Sequence, residues 1–564
     1  MSHIGIGALD IGVLVFYLLL VTGVGIVASR RAKSTAQYFL GDRRFGKWIM
    51  MGQSFGTGTH AEMPVSLAGA VYSVGLSGIW YQWKNLFSTP FYWLMAPLFR
   101  RFRRTTLGEV VEDRYGPWMG AIYTIFALCF FTINMASMLK GAAKVIVQAA
   151  GTDLPANEIV VVMTAVFIVY SLFGGLVATA WTDFIQGFLI ITLSFMLIPL
   201  GWGAVGGING MKTTLEPYRF SLAAPGGIGP WFIAMLTLNG LIGIAAQPQM
   251  IAAVGTGKDE YTCRVGHIFG TFIKRFCTVG WAFVGLMVSV MVARGLFGSN
   301  SLPDPEHAFG FACRHLLFPG GVGLLIACIL AANMAGCSAF MVDSGALVTK
   351  GFYQRYVFAS ASDRHYLWVG RLSGLAVALV SVLYAVFLVE RVLYSFLLTE
   401  TMATFVGVSL LGGIFWSRAN RWGALASLVA ALGMNFGGYH WRHERLDHWH
   451  PNVFLMALVA SVVALVLVSL WTEPEPTAKL RQFYTNVETP SDAPLDAAVS
   501  PSHADGPSGI QADRQLILVN LFHLRRGLAG TSLWRAYRTD LIGFAIGWAA
   551  VLILVGLVWL LFHL

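Results

Sequence analysis

The sequence predicts an all-α polytopic membrane protein with about fourteen transmembrane helices, and three observations carry that reading. Of 564 residues, 56% are hydrophobic and only 12% charged, whereas a soluble domain carries roughly 25% charged residues. Apolar runs of about 20 residues, the length a helix needs to cross the hydrocarbon core, recur along the chain. Basic residues concentrate in alternate connections between these runs, which is the pattern that sets membrane topology. Abundant Gly (62) and Trp (18) suit close helix contacts and interfacial belts.

The expected spans are residues 7–28, 47–73, 78–98, 117–148, 157–175, 181–203, 229–253, 267–293, 320–349, 366–389, 393–416, 421–438, 452–471 and 540–562. No basic region or small-residue cleavage site surrounds the first run, so it reads as a retained span. Arg30, Arg31, Lys33, Arg43, Arg44 and Lys47 follow it, and Arg100, Arg101, Arg103 and Arg104 follow the third run. Lys258 with Arg264, Lys350 with Arg355 and Arg364, Arg418 with Arg421, and Arg525, Arg526, Arg535 and Arg538 continue the alternation. Those connections are expected in the cytoplasm, which puts both termini outside and the chain in the cell (inner) membrane. Residues 472–539 read as a cytoplasmic polar linker, because the Pro/Ser/Asp-rich run from Glu488 to Asp513 is too poor in apolar residues to fold alone. Residues 540–564 supply the last helix.

The net charge of +10 sits in short loops, which argues for topology and against nucleic-acid binding. Six cysteines are scattered without C-x-x-C pairs, so neither a disulfide framework nor a zinc site is indicated. No H-E-x-x-H occurs and no catalytic domain is appended, so an enzyme is not expected.

The second span contains Gly52-Gln53-Ser54-Phe55-Gly56-Thr57-Gly58-Thr59-His60-Ala61-Glu62-Met63-Pro64. Such a run predicts a helix broken at mid-membrane, whose freed carbonyls need a cation, water or solute. A packing seam would explain the glycines. It would not need His60 and Glu62, because ionisable groups inside a membrane default to function.

Tyr38-Phe39-Leu40-Gly41-Asp42-Arg43, Gly174-Gly175-Leu176 with Trp181-Thr182-Asp183-Phe184-Ile185-Gln186, Thr349-Lys350-Gly351-Phe352-Tyr353 and Gly412-Gly413-Ile414-Phe415-Trp416 resemble signatures of the sodium/solute symporter family. The resemblance runs from about Asp10 to Pro490 and is closest in pattern to the sodium/sugar branch. It implies a transporter domain over residues 1–471, built on an inverted five-helix repeat with broken helices, with core repeats over about 47–203 and 229–416. It further implies cation-coupled symport of a small solute, with Na⁺ or H⁺ as the coupling ion and no other cofactor.

The resemblance places the cation at the carbonyls of Gly56 and Thr59 and on the ninth span at Ala332, Ala335 and Gly336. Sodium-binding members carry Ser or Thr where this chain has Ala335 and Gly336, so two of about five oxygen ligands are missing. The expectation is a cation dependence different from ordinary sodium coupling, with water, Ser338, Thr57 or Asp183 making up the difference.

Charged residues inside spans are unusually many, among them Glu62, Lys84, Lys140, Asp183, Lys274, Asp343 and Glu400. Facing lipid, each would cost roughly 2.5–3.5 kcal/mol on insertion scales, so they are expected to point inward. Each alone could be a structural ion pair; together they are better explained by a polar cavity. Lys274 matches a sugar-contacting lysine of the sodium/galactose branch, and Gln82 and Glu62 fall at related positions. The expected solute site is Glu62, His60, Gln82, Lys274 and Glu400. Ile244-Ala245-Ala246-Gln247-Pro248-Gln249 lacks the gating aromatic of sugar carriers, which argues for a polar or ionisable solute other than a hexose. The run His440 to His450 reads as an interfacial belt more readily than as a metal site. A sensor that kept the fold, or an uncoupled carrier, is the alternative.

Overall fold

The computed structural model describes residues 7–29, 34–151, 155–224, 228–298, 301–443, 449–493, 515–520 and 533–563. The expected spans fall largely on helix, three of them interrupted. The helices are α1 (Ala8–Ser29), α2 (Lys47–Gly56), α3 (Glu62–Val74), α4 (Thr89–Arg101), α5 (Leu107–Tyr115), α6 (Pro117–Ala150) and α7 (Ala156–Phe195). There follow α8 (Pro230–Gly243), α9 (Met250–Val254), α10 (Glu260–Ala293), α11 (Gly321–Ala346), α12 (Asp363–Phe387), α13 (Val392–Phe415), α14 (Arg421–Trp441), α15 (Pro451–Trp471), α16 (Thr477–Glu488) and α17 (Leu533–His563). Among the described residues, eight helical stretches are long and apolar enough to cross a membrane, and three shorter apolar ones accompany them.

Three spans are interrupted, and the sequence explains where. Between α2 and α3 the chain leaves the helix at Thr57–Ala61, where Gly56 and Gly58 weaken helix propensity. Pro64 falls in the first turn of α3, the part of a helix that tolerates a missing N–H. Between α8 and α9, Gln247 is extended (φ −63°, ψ 127°) because the following Pro248 disfavours the helical conformation before it. Residues 84–88 form turns between the short helix Trp80–Trp83 and α4. A fourth irregularity lies inside α7 at Gly175 (φ 59°, ψ −175°). A Cβ there would stand 2.5 Å from Tyr38 Cδ2, so both the bend and the close approach require glycine.

The halves of the two broken spans are cross-linked. Gln53 Nε2 donates to the Ala252 carbonyl (3.0 Å) and Ser54 Oγ to the Ala253 carbonyl (3.2 Å), joining α2 to α9. Each bond occupies a carbonyl freed at a helix end.

The basic connections gather at one end of the bundle. Arg43 donates to the Arg104 carbonyl (2.7 Å), Arg100 to the Gly257 carbonyl (3.1 Å), and Arg101 forks onto Glu260 (2.9 and 3.0 Å). Arg114, fully buried, donates to the carbonyls of Gly413, Trp416 and Ala419. The stretch expected as a polar linker opens on α16, whose Phe483 and Val487 are buried, and Arg103 holds the carbonyls of Pro490 and Ala493. Residues 494–514, most of the Pro/Ser/Asp-rich run, lie outside the described residues, as do Arg30, Arg31, Lys33, Arg525, Arg526 and 444–448 of the histidine-rich run.

Candidate functional site

A cavity of about 80 Å³ lies where the interrupted spans meet. The first break contributes Thr57, Gly58 and His60, the second contributes Gln247 and Gln249, and the third contributes Asn85. Lys274, Arg275 and His267 reach it from α10, and Glu400 from α13. Broken backbone is tolerated at membrane depth only where it is buried in protein or lines a polar cavity, and here all three breaks border the same one.

The charges in this interior are organised unevenly. Glu400 Oε2 bonds Lys84 Nζ at 2.6 Å, and Gln247 Nε2 donates to Glu400 Oε1 at 2.8 Å. Gln249 Nε2 continues the chain to Gln247 Oε1 (3.0 Å). Glu400 is therefore neutralised and both its oxygens are occupied. Lys274 Nζ donates to the Gly58 carbonyl, and Arg275 Nη1 donates to the Gln82 carbonyl at 2.9 Å. Neither reaches a carboxylate among the described residues. Gln249 Oε1, Asn85 Oδ1 and His267 Nδ1 are buried without a hydrogen-bond partner; the His267 ring stacks on Tyr92 (centroids 4.6 Å). Buried polar atoms without partners are uncommon, and these three are among those that border this one cavity.

Of the expected solute residues, His60, Lys274 and Glu400 line the cavity. Glu62 and Gln82 do not. Glu62 begins α3 and packs against α6, where a Cβ on Gly141 would stand 2.7 Å from its Cα; its Oε1 meets His60 Nδ1 at 2.9 Å. Gln82 is buried behind α10 and presents its carbonyl to Arg275. The sequence reading did not single out Arg275, His267 or Asn85; Arg275 directly follows Lys274, and that adjacent pair of cations inside a span was the available signal.

The expected cation residues are all buried. Gly56 lets α2 approach α7 closely, since a Cβ would stand 2.9 Å from Asp183 Cβ. Its carbonyl accepts from the Thr59 N–H at 3.2 Å. Thr57 Oγ1 donates to Asp183 Oδ2 at 3.3 Å, while Asp183 Oδ1 and Thr59 Oγ1 have no hydrogen-bond partner. Ala332, Ala335 and Gly336 lie on α11, and Gly336 faces the His60 ring. The run Gly52-Gln53-Ser54-Phe55-Gly56 has the spacing of a hydrolase nucleophile turn. Here it is helical, and Ser54 donates to a carbonyl instead of a base.

Known proteins share this architecture. The chain is 27% identical over 500 residues to the high-affinity proline transporter PutP of Bacillus subtilis (strain 168), covering 83% of this chain and 99% of that protein. It is 24% identical to the sodium/glucose cotransporter of Vibrio parahaemolyticus, covering 77% and 86%. Among solved structures, the substrate-bound outward-open state of a Na⁺-coupled sialic acid symporter superposes with a TM-score of 0.69 at 20% identity, covering 83% of this chain and 98% of that one. Mhp1, a nucleobase-cation-symport-1 family transporter, follows with a TM-score of 0.53 at 14% identity, covering 80% and 99%. Those two likenesses establish the fold. The model of the sodium:solute symporter family matches residues 38–431, well over half of the chain, and the protein is a member of that family.

Proposed function

We propose that this protein is a cation-coupled symporter that moves a small polar solute carrying an anionic group by alternating access. The observation that carries the reading is the charge arrangement of the central cavity. Lys84 neutralises Glu400, whereas among the described residues Lys274 and Arg275 donate to carbonyls and form no ion pair with a carboxylate. A buried cation is costly without a compensating charge, and a carboxylate-bearing solute would supply one. Arg can fork onto a carboxylate and Lys can add a point charge. Gln249, Asn85 and His267 have unused atoms for the rest of such a solute.

Membership of the family, with relatives named as sodium-coupled carriers of proline and glucose, supports cation coupling with sodium or a proton as the ion. In this reading residues 47–203 and 229–416 form the two repeats, and the breaks after α2 and α8 mark their corresponding first helices. Solute and cation sit where irregular backbone and helix ends converge. The gathering of the basic connections at one end supports that end as cytoplasmic, with both termini outside and the protein in the cell inner membrane.

The test is ligand-induced melting of the purified protein over a library of small amino acids, carboxylates, sugars and nucleobases, each in Na⁺, Li⁺ and K⁺ and at several pH values. A compound bound at 100 times its Kd adds about 2.7 kcal/mol to folded-state stability. Stabilisation by carboxylate solutes, lost in Lys274→Ala, is expected. Stabilisation by uncharged sugars alone would contradict the anionic assignment.

A further inference from the structure

The charges that border the central cavity do not cancel. Lys274, Arg275 and Glu400 line it, and Glu400 is already matched by Lys84, whose Nζ lies 2.6 Å from Oε2. Glu62 turns toward α6 and His60, and it is not among the lining residues. With the histidines counted as neutral, Lys274 and Arg275 leave an excess of two positive charges. A solute with one carboxylate cancels half of that excess. The other half stays in an interior where an uncompensated ion costs several kcal/mol.

The two cations also approach from different directions. Consecutive residues of a helix project about 100° apart. Lys274 donates to the Gly58 carbonyl in the first break, whereas Arg275 Nη1 donates to the Gln82 carbonyl at 2.9 Å, on the short helix that precedes the third break. Arg275 is 2% exposed, and its Nε is buried without a hydrogen-bond partner, so the guanidinium is anchored and still has an N–H to give. Anchors tied to two different breaks suit two anionic groups held apart by a short carbon chain. Ile244, Met250 and Phe396 in the same lining suit the chain between them.

A third requirement follows from hydrogen-bond direction. A carboxylate only accepts, so Gln247 presents its NH₂ to Glu400 Oε1 (2.8 Å), which leaves Gln247 Oε1 to accept from Gln249 Nε2 (3.0 Å). The relay from Lys84 through Glu400 and Gln247 therefore runs one way. It ends on Gln249 Oε1, a buried acceptor without a partner, and a hydroxyl or ammonium group on the solute would complete it.

We propose that the solute is a short dicarboxylate bearing a hydroxyl or amino group, with one carboxylate on Lys274, the other on Arg275 and the substituent donating to Gln249 Oε1. The inference rests on the symport reading with an anionic solute and narrows it from one anionic group to two. A solute of this class brings the filled cavity to neutrality and gives the one-way relay its missing donor.

The experiment is isothermal titration calorimetry of the purified full-length chain at pH 7, in sodium chloride and in choline chloride, with malate, aspartate, succinate, monomethyl succinate and lactate as titrants. In the salt that supports binding, succinate is expected to bind at least tenfold more tightly than its monomethyl ester, which keeps the chain and removes one charge; tenfold is about 1.4 kcal/mol. Malate and aspartate are expected to bind more tightly than succinate. Lys274→Gln is expected to collapse the ratio between succinate and its ester, because one cation remains. Gln249→Leu is expected to leave that ratio in place and to bring malate down to the affinity of succinate. Equal binding of succinate and its ester by the unmodified protein would overturn the second anionic group and leave symport of a monoanion standing. A ratio that persists in Lys274→Gln would overturn the assignment of one carboxylate to that residue, and an advantage of malate that persists in Gln249→Leu would overturn the role of the relay. If none of the five carboxylates binds in either salt, the anionic reading of the cavity fails together with this one.

Discussion

Lys84 and Glu400, 316 positions apart, meet at 2.6 Å inside the bundle with side-chain exposures of 0% and 6%. The pair ties the break after the short helix Trp80–Trp83 to the middle of α13, beside the central cavity. Removing one member of such a pair leaves an uncompensated buried charge, which costs about 3–5 kcal/mol. Glu400→Gln and Lys84→Met alone are each expected to lower the melting temperature markedly, and the double variant is expected to recover much of the loss. Additive losses in that double-mutant cycle would show that the two charges do not depend on each other.

A second ion pair, at the opposite end from the basic connections, predicts acid sensitivity. Asp304 lies 3.2 Å from Lys144. Partial burial pushes its carboxyl up, but Lys144 and the Glu306 N–H outweigh this and hold it below the ordinary range. A carboxyl depressed in the folded state contributes stability above its unfolded pKa, near 4, and loses it as pH falls through the folded value. Acidification below about pH 4 is therefore expected to narrow the difference in melting temperature between the parent and Asp304→Asn. A gap that widens on acidification would contradict the assignment.

The orientation is testable by thiol labelling in intact cells, in a background with the native cysteines replaced. Arg103→Cys is expected to resist a membrane-impermeant maleimide and His448→Cys to react with it. The reverse pattern would invert the topology.

Much of this was legible in the sequence because bilayer thickness and the cost of buried charge leave clear marks. The break at Thr57–Ala61 was readable from glycines beside His60 and Glu62, whereas the break before Pro248 was not singled out from its residues. Partners across helices were not readable: nothing near Lys84 points to Glu400, and nothing near Glu62 shows that it turns away from the cavity to meet His60. Gly336 shows the limit most clearly. In the sequence it is a missing hydroxyl, whereas in the fold it is the space that admits the His60 ring, a complementarity between residues 276 positions apart that only packing reveals.

The most direct test of symport through this cavity is uptake of small carboxylates into vesicles containing the protein, under an imposed cation gradient, for the parent and for Lys274→Ala. The account predicts accumulation above equilibrium that collapses when the gradient is dissipated, and a loss of at least tenfold in Lys274→Ala, about 1.4 kcal/mol or more of lost interaction, with little change in melting temperature. Uptake by Lys274→Ala equal to the parent's, or solute entry that never exceeds equilibrium under any cation gradient, would contradict it.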